Sequence, residues 1–364
     1  MRILSVFATF AVGGPQVRFA ALANHFGDEF RHDVIAMDGN LAARERLAPG
    51  LDLRFPDAGL IKGDTLGNIR RIRAFLRREK PDLLVTNNWG SIEWALANAI
   101  RPLVRHIHIE DGFGPEERAR QIPRRVWTRR LVLRRSRVIL PSQVLLGIAR
   151  DVWRLPERNL LNIPNGIDIA RFPPASGSKA SGSRDGVAVI GTVAAMRAEK
   201  NIGRLLEAFH LLPDDLPARL VIVGDGPMLP ELRNRAVELG IADRVSFTGH
   251  RDNPVEALAA FDIFALSSDT EQMPISLLEA MASALPIAAT AVGDVARMVC
   301  SANLDYVVRP TSDALADSLA RLLADPGMRR RIGDENRLRA ERDFSDLAMF
   351  TAYRAAFQAS SGQS

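Results

Sequence analysis

The chain has 364 residues, of which 47% are hydrophobic and 25% are charged, and it contains one cysteine. That length suggests two domains, and that composition excludes a disordered or low-complexity protein. A single cysteine excludes a disulfide framework, and the lack of a long uninterrupted apolar run excludes a membrane-spanning helix.

The formal charge of +5 is unevenly distributed along the chain. Residues 1–170 carry 27 Lys and Arg against 18 Asp and Glu, whereas the remainder carries 21 against 25. The first half is therefore expected to present a positive potential, which attracts phosphates, acidic glycans or an anionic membrane surface.

Short apolar runs alternate along the chain with longer amphipathic segments. The first run lacks the small-residue cleavage site of a signal peptide, so it predicts a buried strand. The single cysteine, Cys300, predicts a reducing, cytoplasmic location. The predicted strands are Ile3–Phe10, Asp33–Met37, Leu83–Thr86, Val104–Ile109, Val138–Leu140, Val187–Val193, Leu220–Val223, Val245–Thr248, Ile263–Leu266 and Pro286–Ala289. The predicted helices are Gln16–His25, Leu66–Arg78, Arg118–Leu133, Ile202–His210, Leu229–Leu239, Pro274–Ala284 and Phe344–Gln358.

Apolar strands separated by helices predict a parallel sheet covered on both faces, and this pattern occurs twice. We therefore predict an α/β protein with two Rossmann-like, doubly wound domains and a cleft between the carboxyl ends of their sheets, where ligands bind in such folds. A stretch rich in Pro, Gly and Ser separates the two domains. The predicted boundaries are 1–168, a linker at 169–186, 187–340, and a terminal helix and tail at 341–364 that can return to the first domain.

The segment TEQMPISLLEAMASALP, residues 270–286, has the features of an anion site. Pro274 suits the first position of a helix, where its missing N–H costs nothing. The N–H groups of a helix start point outward beside the positive end of the helix dipole, which favours a phosphate. Glu271 precedes this start and Glu279 lies inside the helix, so both carboxylates could accept hydrogen bonds from sugar hydroxyls. An ordinary amphipathic helix with two solvated glutamates explains the spacing equally well. The candidate donor-binding residues at the helix start are Gln272, Met273, Pro274 and Ile275.

The E-x7-E arrangement of Glu271 and Glu279, followed by LLEAMASALPIAATAVGD, resembles the donor-sugar motif of family 4 glycosyltransferases, which have the GT-B fold. Further runs match the family in order and spacing, so the resemblance covers essentially the whole chain. These runs are GGPQ at 13–16, PNGID at 164–168, EKN at 199–201, GDGPM at 224–228 and RVSFTGHRDN at 244–253.

The resemblance implies a retaining transfer of a hexosyl group from a nucleotide diphosphate sugar, UDP- or GDP-linked, to an acceptor hydroxyl. The acceptor would be a glycan or a lipid-linked sugar, as in polysaccharide or glycolipid assembly. Residues 187–340 would bind the donor and the first domain the acceptor. Glu271 would orient the sugar, Glu279 the ribose, and Lys200 would hold the diphosphate.

The resemblance also assigns roles to three glycines. Gly13 and Gly14 end the first strand and open a helix, so the backbone can come close to a ligand, and the family places this loop near the donor pyrophosphate. A plain strand-to-helix turn is the alternative. Gly224 belongs to a turn that the family places beside the nucleotide base.

The chain departs from the family pattern at three positions. Ala195 stands where an arginine pairs with the lysine, so Arg197 either replaces that arginine or is a solvated turn residue. Asp111 stands where many relatives have histidine near the transferred sugar, and it is a candidate catalytic residue with Glu271 and Lys200. Gln272 replaces a common glycine. Asp111 and Glu110 follow the strand ending at Ile109, so both are acceptor-side candidates expected to project toward the cleft.

The sequence predicts no cofactor beyond the nucleotide sugar and no metal, since it has no Asp-x-Asp and no His or Cys ligand spacing.

The arginine-rich segment at 124–137 is either a surface helix or a docking face for an anionic membrane, which would place the protein on the inner face of the cytoplasmic membrane. Nucleic acid is not predicted as a partner, because no aromatic residues are interleaved as a platform. Alternatives to the transferase are a nucleotide-sugar epimerase of the same fold and a non-catalytic protein that binds sugar nucleotides.

Overall fold

The computed structural model describes residues 1–113, 115–117, 120–174, 186–251 and 253–359. The chain forms two compact units. Unit 1 comprises Met1–Pro164 together with Phe350–Ser364, and unit 2 comprises Asn165–Met349.

Unit 1 is built on a seven-stranded parallel sheet with the strand order β3-β2-β1-β4-β5-β6-β7. The central strands β1, β4 and β6 are almost completely buried, as expected for a sheet covered by helices on both faces. The strands are β1 (Arg2–Phe7), β2 (Arg31–Ala36), β3 (Leu53–Arg54), β4 (Leu83–Asn87), β5 (Arg105–Ile109), β6 (Arg137–Leu140) and β7 (Leu160–Asn162).

Five helices of unit 1 connect these strands. Asp64 and Ser142 cap the second and the fifth helix by accepting hydrogen bonds from Gly67 N–H and Leu145 N–H, which explains where those helices begin. The helices are α1 (Gly14–Phe26), α2 (Thr65–Glu79), α3 (Ile92–Ile100), α4 (Pro123–Val132) and α5 (Gln143–Asp151).

Unit 2 is built on a six-stranded parallel sheet with the order β10-β9-β8-β11-β12-β13. Its strands are β8 (Ala188–Val193), β9 (Ala218–Val223), β10 (Val245–Phe247), β11 (Ile263–Leu266), β12 (Ile287–Thr290) and β13 (Val307–Val308). Its helices are α6 (Ile202–His210), α7 (Leu229–Glu238), α8 (Val255–Ala259), α9 (Ile275–Ala282), α10 (Val295–Met298), α11 (Ser312–Ala324) and α12 (Pro326–Asp343). The last helix, α13 (Asp346–Gln358), continues into unit 1 from Phe350 onward.

The predicted pair of doubly wound parallel sheets is confirmed. In each sheet the direction of winding reverses once, between β1 and β4 in unit 1 and between β8 and β11 in unit 2. Ligands of open α/β sheets bind at the carboxyl ends of the strands that flank this reversal. The loops that follow these four strands are therefore the places to look for a functional site.

Several predicted boundaries were wrong. The helix predicted over Arg118–Leu133 begins at Pro123, and residues 118 and 119 lie outside the described residues. Most of the predicted linker, residues 175–185, and the last five residues of the tail also lie outside them. Among the helices in the described part of the chain, none combines the length and the apolarity needed to cross a bilayer.

Candidate active site

The two loops that flank the reversal in unit 2 bring together Lys200 and Glu271. The Lys200 Nζ atom lies 2.5 Å from Glu271 Oε1, and the Ser268 hydroxyl donates to the same oxygen at 2.7 Å. Both side chains are largely buried, with 25% and 10% of their surface exposed. A polar space of about 10 Å³, roughly enough for one water, lies between this pair, Thr192 and Ser276. The lysine and glutamate singled out in the sequence thus share one charged site.

A second ion pair holds the two loops against each other. Arg204, on the first turn of α6, donates to the Ser267 carbonyl at 2.7 Å and to Asp269 Oδ1 at 2.6 Å. The Asn201 amide also donates to Asp269, and Ser267 Oγ donates to the Lys200 carbonyl. These bonds fix the backbone on both sides of the Lys200–Glu271 contact. Sequence analysis missed Arg204 and Asp269, because no local pattern links residues 65 positions apart.

The start of α9 lies directly after Glu271. The structure corrects the placement of Pro274, which caps the helix in an extended conformation while Ile275 is the first helical residue. The Pro274 carbonyl accepts from the N–H groups of Leu277 and Leu278. Within the described part of the chain, the N–H groups of Ile275 and Ser276 have no hydrogen-bond acceptor. Such groups at a helix start are suited to bind an anion.

Glycines allow the loops of this site to approach each other closely. Gly293 has φ +53°, and a Cβ atom there would lie 2.1 Å from the Glu271 carbonyl oxygen. Gly224 has φ +142°, and a Cβ atom there would lie 1.9 Å from the Ala194 carbonyl oxygen. Both positions therefore need glycine for conformation and for space. Gly293 was not identified from the sequence.

The other predicted donor residues surround the same helix start. Met273 is buried, and its carbonyl accepts from the Asn165 side-chain amide at 3.1 Å, which gives the PNGID motif a structural role within unit 2. Gln272 and Glu279 are half-buried. The side chain of Arg197 is 62% exposed, with Glu199 4.0 Å away. Whether Arg197 replaces the missing family arginine stays a prediction.

In unit 1, Asp111 forms a bidentate ion pair with Arg18 of α1. Arg18 Nη1 contacts Asp111 Oδ1, and Nη2 donates to Oδ2 at 2.9 Å. Burial alone would lower the pKa of Arg18, but Asp111 and Tyr353 raise it above its usual value. The Asp111 N–H also donates to Asn88 Oδ1 on the loop after β4. Arg18 contacts both carboxylate oxygens, so the negative charge of Asp111 is paired with a guanidinium group in this structure.

The structure corrects the expectation that Glu110 projects into a ligand site. Glu110 is fully buried, and its Oε2 atom accepts from Arg129 Nε at 3.1 Å. Arg129 also donates to both oxygens of Glu117, and its guanidinium lies about 5 Å from the ring centres of Trp89 and Trp153. Arg129, which the sequence placed on a basic surface, is thus a buried partner of two carboxylates.

Gly13 and Gly14 lie at the start of α1, after β1. Gly13 is extended, with φ −166°, so its backbone conformation does not require glycine. Its predicted approach to a ligand stays a prediction. No cluster of three or more potential metal ligands was found among the described residues, and the metal independence predicted from the sequence stays untested.

Two family models together match most of the chain. The Glycosyltransferase Family 4 model matches residues 12–171, and the Glycosyl transferases group 1 model matches residues 177–339. The chain belongs to glycosyltransferase family 4. The resemblance inferred from its motifs is therefore confirmed, and the Lys200–Glu271 site lies within the second matched region.

Curated relatives of this family 4 glycosyltransferase match it over part of its length. It is 30% identical to N-acetyl-alpha-D-glucosaminyl L-malate synthase of Bacillus anthracis over 162 residues. The matched region covers 44% of this chain and 42% of that protein. It is 32% identical over 191 residues to the GDP-mannose-dependent alpha-(1-6)-phosphatidylinositol monomannoside mannosyltransferase of Mycolicibacterium smegmatis, 47% of this chain and 49% of that protein. The chain thus spans less than half the length of these relatives.

A solved structure matches this family 4 glycosyltransferase over nearly its whole length. The structure of Anabaena HepE in complex with UDP and glucose aligns with a TM-score of 0.81 and 18% identity, covering 98% of this chain and 99% of that one. At this identity the likeness shows the fold alone.

Proposed function

We propose that this family 4 glycosyltransferase transfers a hexosyl group from a UDP- or GDP-linked sugar to an acceptor hydroxyl with retention of configuration. The observation that carries the proposal is the contact between Lys200 and Glu271 beside the start of α9. An ammonium, two outward N–H groups and a carboxylate are the groups needed to hold a diphosphate next to a sugar.

In the proposed reaction the bond from the anomeric carbon to the phosphate oxygen breaks, and a bond to the acceptor oxygen forms on the same face. The acceptor hydroxyl gives its proton to the departing phosphate oxygen. The leaving diphosphate gains negative charge as this happens. Lys200 and the N–H groups of Ile275 and Ser276 stabilise that charge, which is the main catalytic contribution expected of preorganised donors. The incoming diphosphate takes the ammonium from Glu271, and the released carboxylate accepts from a sugar hydroxyl. Glu279 orients the ribose.

Unit 1 is proposed to bind the acceptor, a glycan or a lipid-linked sugar of polysaccharide or glycolipid assembly. The M. smegmatis relative is named for a phosphatidylinositol mannoside acceptor, which supports a lipid-linked class. On α4, Trp127 is 58% exposed and Leu131 is 68% exposed, next to Arg124 and Arg130. Aromatic, apolar and cationic side chains on one helix suit an anionic membrane surface. Within the predicted segment 124–137, these four residues form the proposed docking face, on the inner side of the cytoplasmic membrane.

The donor proposal is tested with a thermal-shift panel of UDP-, GDP- and ADP-sugars, followed by an assay for release of the nucleoside diphosphate. A donor at 100 times its Kd should stabilise the fold by about 2.7 kcal/mol. Slow release without acceptor supports the transferase, whereas tight binding without turnover supports a non-catalytic binding protein. Unchanged turnover in Glu271→Ala would overturn the site assignment.

The docking face is tested by sedimentation with phosphatidylglycerol vesicles at low and high salt. Replacing Trp127 with Ser and Arg130 with Glu should abolish association, because both apolar and charged contacts are lost. Arg129 is unsuitable for this test, since its substitution would disrupt the buried ion cluster. Full association of the double variant would refute the docking face.

A further inference from the structure

Unit 1 contains a cavity of about 760 Å³ away from the loops discussed so far. Its floor is formed by the amino-terminal ends of β5 and β6, and its walls by α3 and the chain that follows α4. Asp111 and Glu110 follow the opposite, carboxyl-terminal end of β5. The cavity therefore lies at the edge of the sheet that does not carry the candidate acceptor site.

Five arginines line this cavity. They are Arg105, Arg134, Arg135, Arg137 and Arg158. Among the described residues, the lining contains no aspartate or glutamate. Alanine side chains and Leu131 add an apolar wall beside the guanidinium groups. The volume lies within the range typical of sites for small organic ligands.

Four of these arginines have no acidic partner among the described residues. Within the described ranges, no carboxylate lies within 4.0 Å of Arg134, Arg135, Arg137 or Arg158. In the same unit, Arg18 and Arg129 are both paired with carboxylates. The guanidinium groups of these four arginines are therefore not paired with any carboxylate of the described residues.

The fifth arginine, Arg105, is anchored at the cavity edge near Arg137. Arg105 donates to the carbonyl oxygens of Ala356, Phe357 and Ala359 at the end of α13, which anchors it at the cavity edge. Burial and the neighbouring Arg137 guanidinium lower the pKa of Arg105, against a smaller opposite effect of Asp82. The two guanidinium groups repel each other, and an anion bound between them would offset this repulsion.

We propose that this cavity is a binding site for a phosphate-bearing anion, separate from the donor site in unit 2. Arginine guanidinium groups match phosphate oxygens by forked hydrogen bonds, and several of them favour a doubly charged group over a carboxylate. The apolar wall favours a ligand in which the phosphate is joined to an organic part. The phosphate can come from a lipid headgroup or from a soluble phosphorylated compound, and both present the same chemistry to the arginines.

The test is arginine-selective dicarbonyl labelling of the full chain, read by mass spectrometry at each arginine. Inorganic pyrophosphate is the soluble probe. It should slow the labelling of Arg137 and Arg158 by about ten-fold or more, the effect of a charge-assisted hydrogen bond. Arg70 and Arg77, exposed on α2 outside the cavity, should label at an unchanged rate. Because each arginine is read separately, pyrophosphate bound near Lys200 does not confuse the result.

Two matched double variants test whether the cavity acts as one site. Arg134→Ala with Arg158→Ala should raise the pyrophosphate concentration that protects Arg137 by about ten-fold or more. Arg70→Ala with Arg77→Ala, two exposed residues of α2, removes the same charge outside the cavity and should leave that concentration unchanged. An equal increase of the protecting concentration in both variants would show that the overall positive charge, and not the cavity, attracts pyrophosphate, and it would overturn the proposal. Far-UV circular dichroism confirms that each variant is folded.

Vesicles distinguish the two sources of phosphate. Protection of Arg137 by phosphatidylglycerol vesicles, but not by phosphatidylcholine vesicles, would support a lipid headgroup if it persists in the variant Trp127→Ser with Arg130→Glu, which lacks the proposed docking face. Protection by pyrophosphate alone would support a soluble phosphorylated ligand. Absence of protection by both pyrophosphate and phosphatidylglycerol would overturn the proposal. None of these outcomes depends on glycosyl transfer, so the proposed function is tested separately.

Discussion

Lys200 and Glu271 contact each other at 2.5 Å although they are 71 positions apart in the chain. Each lies on one of the two loops at which the winding of the unit 2 sheet reverses. The carboxylate also accepts from Ser268, so its position is set by two donors. The chain thus holds an ammonium and a carboxylate together at the place where an α/β sheet binds its ligand.

Loss of the Lys200 ammonium should impair catalysis more than folding. In Lys200→Ala, turnover of the nucleotide sugar should fall by about a hundredfold or more, because one preorganised donor to the leaving group is removed. Release of nucleoside diphosphate is the measurement. The exposed lysine variant Lys62→Ala is the control and should retain its rate. A Lys200→Ala rate within a few-fold of the unsubstituted enzyme would contradict the assigned role.

Gly293 should be required for the position of Glu271. In Gly293→Ala the new Cβ atom meets the Glu271 carbonyl oxygen, so the loop must shift. Gly240→Ala is the matched control, since Gly240 also has a positive φ, of +68°, but open space around it. Both variants should lose about 1–2 kcal/mol from backbone strain, and Gly293→Ala should lose more and bind donor more weakly. Urea unfolding and the donor KM measure these effects, and equal losses in both variants would count against the close approach.

The Arg204–Asp269 pair should position the site through the backbone of both loops. A double-mutant cycle of Arg204→Met and Asp269→Asn should give a coupling of about 0.5–3 kcal/mol in the free energy of unfolding. Each single variant should have a lower kcat for release of the nucleoside diphosphate, because the ion pair that holds the Lys200 loop against the Glu271 loop is lost. The exposed pair Arg235 and Glu238 provides the control cycle and should couple much more weakly. Unchanged kcat in both single variants would limit the pair to a structural role.

Arg129 should be essential for the stability of unit 1. Arg129→Met leaves Glu110 and Glu117 buried without their shared cation, which should cost about 3–5 kcal/mol of unfolding free energy. Arg130→Met, one position along the same helix, should cost less than about 1 kcal/mol, because Arg130 stacks on exposed Trp127. Denaturant unfolding compares the two. Similar losses at both positions would mean that the buried cluster contributes little.

His32 should make the fold sensitive to acid. Both of its ring nitrogens are buried and have no hydrogen-bond partner in the part of the chain that the structure describes. Burial lowers the pKa of His32 from 6.5 to about 4, against a smaller effect of Asp33. Between pH 6.5 and about 4 the unfolded chain binds more protons at His32 than the folded chain does. The contribution of neutral His32 to the free energy of unfolding is therefore fully present above pH 6.5 and is lost as the pH falls toward about 4.

The variant His32→Phe tests this pH dependence. It keeps a ring against Phe19 and Phe30 but removes the titrating group. The slope of stability against pH between the two pKa values should decrease by up to about 1.4 kcal/mol per pH unit. Some slope should remain, because burial also lowers the pKa of His106, to about 3. Urea unfolding at several pH values measures the slope, and an unaltered slope would rule out the contribution of His32.

Many of the helices and strands were predicted within a few residues. The helix predicted over Leu66–Arg78 extends over Thr65–Glu79. The helices α3, α5 and α11 and the short strands β3, β7 and β13 were not predicted. A strand of two or three residues carries too little periodicity to be recognised. The 18-residue helix α12 was also missed, since it is rich in charged residues and lacks a clear apolar face.

The candidate site was predicted unevenly. Motif spacing singled out Lys200 and Glu271, which the fold then brings into contact. Arg129 shows the opposite case, since an arginine among arginines gives no local sign that two glutamates 12 and 19 positions away will bury it. Asp111 was recognised as a departure from the family, whereas its pairing with Arg18, 93 positions away, was not.

The amino-acid sequence by itself determined the fold class and the family, because alternating apolar strands and helices and ordered motifs are local properties of the chain. Only the tertiary structure decided which charges are neutralised: Lys200 by Glu271, Arg18 by Asp111 and Arg129 by two buried glutamates, with four cavity arginines left unneutralised by the described residues. The physical reason is that an ion pair depends on distance and burial. Both are set by how strands and loops far apart in the chain are brought together.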